Sequence, residues 1–259
     1  MRQKYNYLVV IPYVAGEAQG RELAVAVRGW VAHFKEDFRL WIVGDKPVNI
    51  ESYGGIVEHI PMQRSSSHVG HPALDIVAKM RHVIELAHAE GYRSFIWSND
   101  DIYAVNDFTA KDVMVPKHLG IGLKGDPGSG NHFRRSMWRT RQALLAAGKP
   151  AVNYCNHLPN CYNFIRLTEV LDKFGCDTNE HLINSLYFNY IPERVRTCNL
   201  AVPGRYKKGF YVAGEMTVAT VREAIDTGKI WINNSNVGYN MWAVNFIDEY
   251  NKAILENKK

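Results

Sequence analysis

An α/β fold, built on a mostly parallel mixed sheet flanked by helices, is predicted by three features of this 259-residue sequence. Short apolar runs rich in β-branched residues recur, as in strands buried on both faces. The segments between those runs carry apolar residues at helical spacing. The order along the first part of the chain is β-α-β-β-α-β, which right-handed crossovers wind into one sheet.

The first strand is Leu8-Val9-Val10-Ile11, ending at Pro12. A loop containing Gly16 and Gly20 leads into a helix from Arg21 to Phe34, where Leu23, Val27, Trp30, Val31 and Phe34 share a face. Leu40-Trp41-Ile42-Val43 is the second strand, closed by Gly44-Asp45-Lys46-Pro47, and Gly55 to Ile60 is a short third. Polar residues from Gln63 to His71 precede a helix from Pro72 to Glu90, striped by Leu74, Val77, Ala78, Val83, Ile84 and Ala87 and ended by Gly91. Ser94-Phe95-Ile96-Trp97 is the next strand and runs directly into Ser98-Asn99-Asp100-Asp101. Beyond it the periodicity weakens. The glycine-rich stretch Gly120–Gly130 reads as a mobile loop and Ala151 to Tyr154 as a strand. Helices are expected over Phe133–Ala147, Thr168–Phe174, Asn179–Tyr187, Val218–Thr227 and Trp242–Asn257. No repeat or linker divides the chain, so one domain is expected over 1–259, with a nucleotide-binding half at 1–110 and a ligand-completing half at 111–259.

Composition excludes several classes. Hydrophobic residues at 46% and charged residues at 22% are ordinary globular values, which argues against disorder, collagen and coiled coil. Aromatics at 12% suit both a bulky core and the stacking of flat or ring-shaped ligands. No apolar run approaches the roughly 18 residues of a membrane span. The apolar run Tyr7–Tyr13 is too short for a signal peptide and fits a buried strand. Cys155, Cys161, Cys176 and Cys198 form no Cys-x-x-Cys pair, so a cytoplasmic, reduced protein without structural zinc is expected. The net charge of +5 is mild but clustered. Lys117, Lys124, Arg134, Arg135, Arg139, Arg141 and Lys149 face a single acid, Asp126, and Arg194, Arg196, Arg205, Lys207 and Lys208 form a second group. Such clusters attract phosphates and polyanions, and otherwise serve as solvated faces.

Ligands of open parallel sheets bind at the carboxyl ends of the strands. Here those ends carry Pro12-Tyr13, Gly44-Asp45 and Asn99-Asp100-Asp101. Two acids directly after a buried strand are costly unless a cation or hydrogen-bond donors lie beside them. A hard divalent ion held by carboxylate oxygens and sharing a diphosphate fits that pattern, as does a simple turn or helix cap. Asp101 is the principal expected ligand, with Asp100 or Asn99 in support.

The segment Phe95-Ile96-Trp97-Ser98-Asn99-Asp100-Asp101-Ile102 resembles the strand-plus-DxD segment of GT-A (Rossmann-like) glycosyltransferases, with Asn99 and Asp101 in the places of the two acids. Val9-Val10-Ile11-Pro12-Tyr13 resembles the opening strand of these enzymes, and Asp45 stands where an Asp contacts the base or ribose. The resemblance covers roughly residues 7–110 and implies a metal-dependent glycosyltransferase that uses Mn²⁺ or Mg²⁺ and a nucleotide-sugar donor, a UDP-sugar foremost. It implies donor contacts from Pro12, Tyr13, Asp45, Arg81, Asn99 and Asp100, and metal ligation by Asp101 and Asp100 with His157 as a later third ligand. Scattered shorter segments resemble the Stealth proteins, which transfer a sugar-1-phosphate: Glu22-Leu23 with Arg28, Asn99-Asp100-Asp101, His157-Leu158-Pro159 and Ile230-Trp231-Ile232-Asn233-Asn234. Asn234 stands there in place of the family's Asp.

An inverting transferase also needs a carboxylate to take the acceptor's proton, and Asp126, Asp177, Glu180 and Glu215 are all eligible. Asp101, Glu180 and Glu215 are carried as the catalytic candidates. Lys124, Arg134 and Arg135 are placed on phosphate or acceptor, with the Gly120–Gly130 loop as a lid over the donor. His68 and His71 could contribute two metal ligands from one loop. The acceptor is expected to be a glycan, an anionic one included, or DNA. The rival from another class is a non-enzymatic nucleic-acid-binding module using the basic clusters with Trp138, Tyr206 and Phe210.

Overall fold

The computed structural model describes residues 5–48, 50–191, 197–200, 209–212 (as backbone), 216–234 and 238–258. In chain order the elements are β1 (Tyr7–Tyr13), α1 (Glu22–His33), β2 (Phe38–Gly44), β3 (Val57–Pro61), α2 (Pro72–Ala89), β4 (Ser94–Trp97), β5 (Ile102–Ala104), α3 (Ala110–Met114), β6 (Lys117–His118), α4 (His132–Ala146), β7 (Asn160–Asn163), α5 (Phe164–Lys173), α6 (Ile183–Tyr190), β8 (Cys198–Asn199), β9 (Gly209–Val212), α7 (Val218–Asp226), β10 (Trp231–Asn234) and α8 (Met241–Glu256).

The central sheet has the order β3-β2-β1-β4-β7. The first four strands are parallel, and β7 is antiparallel to β4. The chain winds outward from β1 through β2 to β3, and α2 then returns it to the other side of β1. The winding direction therefore reverses between β1 and β4, where a crevice opens at the strand ends of a doubly wound sheet. The fold is α/β and Rossmann-like. A smaller sheet, β5-β10-β9, and the pair β6-β8 complete it among the described residues.

Alternation along the strands explains why each reads as one apolar run. Val9, Ile11, Leu40 and Ile42 face a core containing Val27 and Trp30 of α1 and Val244 and Ile247 of α8. Leu8, Val10, Trp41 and Val43 face the opposite core, with Val77, Met80 and Val83 of α2 and Leu167 and Val170 of α5. Both faces of β1 are thus fully buried, and no polar position breaks the run.

Gly44, at the end of β2, has φ +137, and a Cβ there would lie 2.0 Å from the Tyr13 carbonyl oxygen and 3.2 Å from Lys79 Cε. Gly44→Ala is expected to cost about 2–3 kcal/mol, because both the backbone and the packing must shift. Urea denaturation checks this, and an unchanged midpoint would contradict it.

The second half departs from the sequence reading. Ala151–Tyr154 is not a strand of either sheet. Its backbone is held by one bridge, Gly122 to Val152, by Leu119 N–H on the Asn153 carbonyl, by the Ser185 hydroxyl accepting from Tyr154 N–H, and by Asn189, whose side chain bonds both the N–H and the carbonyl of Val152. The expected helix over Asn179–Tyr187 instead spans Ile183–Tyr190, because Asn179 turns back onto the Gly175 carbonyl. Thr168–Lys173 is the second half of a longer helix that starts at Phe164, capped by the Asn163 side chain, and Phe174 is its C-cap. The Gly120–Gly130 stretch is tied down rather than loose. Leu123 is buried and bonds Ala151, Asp126 N–H bonds the Arg134 carbonyl, and Gly125 abuts the Trp138 backbone so closely that a Cβ would lie 2.2 Å from its nitrogen.

Candidate functional site

The crevice between β1 and β4 holds a cavity of about 220 Å³ lined by Pro12, Val14, Glu17, Glu22, Arg64, Pro72, Asp75, Ile76, Lys79, Asn99, Asp100 and Asp101. Ser98 N–H still bonds the Val10 carbonyl at 2.9 Å, which extends the β1–β4 pairing past the end of β4. The chain then reverses through Asn99-Asp100-Asp101, closed by Ile102 N–H on the Asn99 carbonyl, and enters β5. This turn delivers both aspartates to the cavity. Glu22, the first residue of α1, enters from the other side. Its carboxylate accepts from Gln19 N–H at 2.9 Å, Asn234 Nδ2 at 3.2 Å and the Tyr103 hydroxyl at 3.4 Å.

Three carboxylates therefore share one poorly solvated place. Burial, reinforced by Glu22, pushes Asp100 up to about 6. Burial, reinforced by Asp100 and Glu22, pushes Asp101 up to about 7. Glu22 is also raised by burial, against the opposing pull of its three donors. The Asp101 Oδ1 atom is buried and has no hydrogen-bond partner among the described residues. An oxygen-only donor set with an orphaned carboxylate atom fits a hard divalent cation.

The same cavity is also lined by two cations. Lys79, fully buried on α2, donates to Asp75 Oδ2 at 2.5 Å, and Arg64 Nε lies 3.4 Å from that oxygen. Arg64 also makes a two-point pair with Glu17. Five carboxylates, of Glu17, Glu22, Asp75, Asp100 and Asp101, thus line this cavity with two cations, Lys79 and Arg64, which are paired with Asp75 and Glu17.

A second cavity, of about 260 Å³, adjoins the first at Pro72, Ile76 and Asn99. Its walls are largely apolar, with Met80, Trp97, Phe133 and Leu158, and its polar groups include His132, His157 and Glu180. His157 has a left-handed backbone, φ 47, and its carbonyl accepts from Asn233 Nδ2 at 2.8 Å. Glu180 lies beside two imidazoles, 3.0 Å from His71 Nδ1 and 3.6 Å from His132 Nδ1.

Of the sequence-predicted residues, Pro12, Asn99, Asp100 and Asp101 come together in the first cavity. His157 and Glu180 line the second, so the expected grouping of His157 with the aspartates is replaced by Glu22 with the aspartates. Tyr13 stands close enough to Asp100 and Asp45 for both to add to the burial that raises its hydroxyl. Asp45 accepts from Ala15 N–H at 2.9 Å and so fastens the loop after β1; it does not line either cavity. Arg81 is likewise outside both, paired with Asp172 and Asp177 at 2.7 and 2.6 Å. Lys124 and Arg134 are exposed, and Arg135 donates to the Ser129 carbonyl; none of the three lines either of these two cavities. Glu215, Tyr206 and the basic group from Arg194 to Lys208 named above lie outside the described residues, as does the Phe210 side chain.

Sequence reasoning missed Glu22 as a site carboxylate, and it missed Lys79 and Arg64 altogether. One signal for Lys79 was present: it stands among Ile76, Val77, Met80 and Val83 on the buried face of α2, four residues after Asp75. A lysine kept inside an apolar stripe needs a reason.

No helix among the described residues is long and apolar enough to cross a membrane. No protein-family model and no curated protein sequence matches the chain.

Proposed function

We propose that the protein is a metal-dependent transferase of GT-A type that acts on a nucleotide-sugar donor, a UDP-sugar foremost. The observation that carries this reading is the cavity at the β1–β4 reversal, where Glu22, Asp100 and Asp101 line the same space as Lys79 and Arg64. Asp101 and Asp100 would hold Mn²⁺ or Mg²⁺, which would draw charge from the leaving diphosphate. Lys79 and Arg64 would take the remaining phosphate oxygens, exchanging part of their pairing with Asp75 and Glu17 for the ligand. Pro12 and Tyr13, at the end of β1, would flank the base. The sugar would point past Asn99 toward the apolar second cavity, where the acceptor binds. Arg134 and Arg135 follow His132 and Phe133, two residues of that cavity's wall, so an anionic glycan or DNA suits the acceptor side. A cytoplasmic setting, where nucleotide sugars are made, agrees with this reading.

The test is calorimetric titration with UDP-sugars and GDP-sugars, with and without Mn²⁺. Binding that needs both the diphosphate and the ion is the expected result. Salt-sensitive DNA binding with no nucleotide-sugar binding under any condition would favour the nucleic-acid module instead.

A second reading, transfer of sugar-1-phosphate, is favoured by one specific convergence. Glu22, Asn99-Asp100-Asp101 and Asn234, three of the scattered Stealth-like matches, meet around one carboxylate cluster. The products separate the readings. Sugar transfer from a UDP-sugar releases UDP, whereas sugar-1-phosphate transfer breaks the bond between the two phosphates and releases UMP.

A further inference from the structure

His71, His132 and Glu180 come from three separate segments: the residue before α2, the first residue of α4, and the loop before α6. One ligand atom from each lies within 4.8 Å of the others. The two imidazole–carboxylate separations are 3.0 and 3.6 Å, and the imidazole rings are perpendicular with centroids 5.8 Å apart. A tetrahedral zinc site with bonds near 2.0–2.2 Å sets its ligand atoms about 3.3 Å apart. The two separations are to different oxygens of Glu180, Oε1 and Oε2, and the 4.8 Å limit on the set is wider than that spacing, so an ion would draw the three ligands closer together.

The carboxylate is held in place by its neighbours. Arg139 donates to the Glu180 carbonyl at 2.9 Å, and the Thr140 hydroxyl accepts from Leu182 N–H at 2.9 Å, fixing the segment against α4. Glu180 is only 12% exposed, whereas His71 and His132 are 45% and 48% exposed, so an ion has an entry path from solvent. A hydrogen bond accounts for only one of the two imidazoles beside this carboxylate. The His71 Nδ1 hydrogen bond to Glu180 Oε1, at 3.0 Å, leaves His132 and the second carboxylate oxygen 3.6 Å apart, too far for a hydrogen bond. Two neutral imidazoles and a carboxylate are instead an ordinary zinc donor set.

We propose that His71, His132 and Glu180 bind a zinc-class ion through three protein ligands, leaving a coordination position open toward the second cavity. His132 and Glu180 line that cavity, as does Pro72 beside His71. The open position would take a water or an anionic oxygen of a bound ligand, a carboxylate or phosphate. This site is separate from the carboxylate cluster and does not depend on the donor reading. It makes Glu180 a metal ligand rather than a free base.

The experiment is titration of the whole protein with Co²⁺, followed by its visible spectrum, and with Zn²⁺ by calorimetry. One equivalent is expected, with the intense bands of a four- or five-coordinate Co²⁺ ion. His71→Ala, His132→Ala and Glu180→Gln should each weaken binding at least ten-fold, while His68→Ala, the other histidine of the same loop, should not. Asp101→Asn should leave the Co²⁺ spectrum unchanged, so failure of the donor site and failure of this site are distinguishable. Thermal melts establish that each variant is folded. Binding unaffected by the three substitutions, lost equally in His68→Ala, absent, or giving only the weak spectrum of an octahedral ion would overturn the proposal.

Discussion

Asp101→Asn is expected to abolish the stabilisation that Mn²⁺ and a nucleotide sugar confer together, while leaving the fold intact. The buried Oδ1 of Asp101 has no partner among the described residues, and its carboxylate stands against Asp100 and Glu22. An amide keeps the shape but removes the charge that an ion needs. A ligand at a hundred times its dissociation constant adds about 2.7 kcal/mol, or about 5–10 °C in melting temperature for a chain of this size. The wild type should show that rise and the variant should show none. The unliganded variant should melt no lower than the wild type, because replacing one of three neighbouring carboxylates relieves repulsion. A Mn²⁺-dependent rise that survives the substitution would place the ion elsewhere.

Lys79→Met is expected to act twice. It strips the buried Asp75 carboxylate of its closest cation, at 2.5 Å, leaving Arg64 Nε at 3.4 Å. Breaking one side of a buried pair costs about 3 kcal/mol or more. It also removes a charge-assisted contact to phosphate, equivalent to about ten- to a hundred-fold in donor affinity. The double variant Asp75→Asn with Lys79→Met separates the two effects. It should recover most of the lost stability, since no unpaired charge remains, yet still bind the donor weakly. Recovery of both stability and affinity would mean that Lys79 serves Asp75 alone.

These two residues differ in how readable they were. Asp101 follows a fully apolar strand, so its cost and its use are both visible locally in Phe95-Ile96-Trp97-Ser98-Asn99-Asp100-Asp101. Strands β1, β2 and β4 were readable for the same reason: burial on both faces leaves an apolar run at the centre of each. Lys79 acquires its role only when α2 crosses the sheet and brings it beside the end of β2 and the turn after β4. Glu22 was singled out only through the Stealth-like Glu22-Leu23 pair, without a place in the site, and an acid in a first turn favours a helix N-terminus in any case. Its site role depends on Tyr103 and Asn234, which reach it from distant positions in the chain. The second half was less legible because side chains rather than regular ladders hold it. Asn189 bonds the backbone of Val152, and β7 reads Asn160-Cys161-Tyr162-Asn163, with no apolar run. The triad of His71, His132 and Glu180 left no spacing to find, because His71 and Glu180 are 109 positions apart.

The bond from Asn234 to Glu22 spans 212 positions, and α8 clamps the same helix through Asp248, which pairs with Arg28 and lies 2.9 Å from Arg21. Contacts of such high sequence separation form late, because their loop-closure entropy must be met before they contribute. On the ribosome, the first strands and α1 emerge long before the residues that hold α1 at its carboxylate end. A nascent chain that has not yet released β10 and α8 would carry Asp100 and Asp101 but no anchored Glu22. Maturation of this site is therefore tied to synthesis of β10 and α8, and a growing polypeptide that still lacks them holds no finished site to occupy.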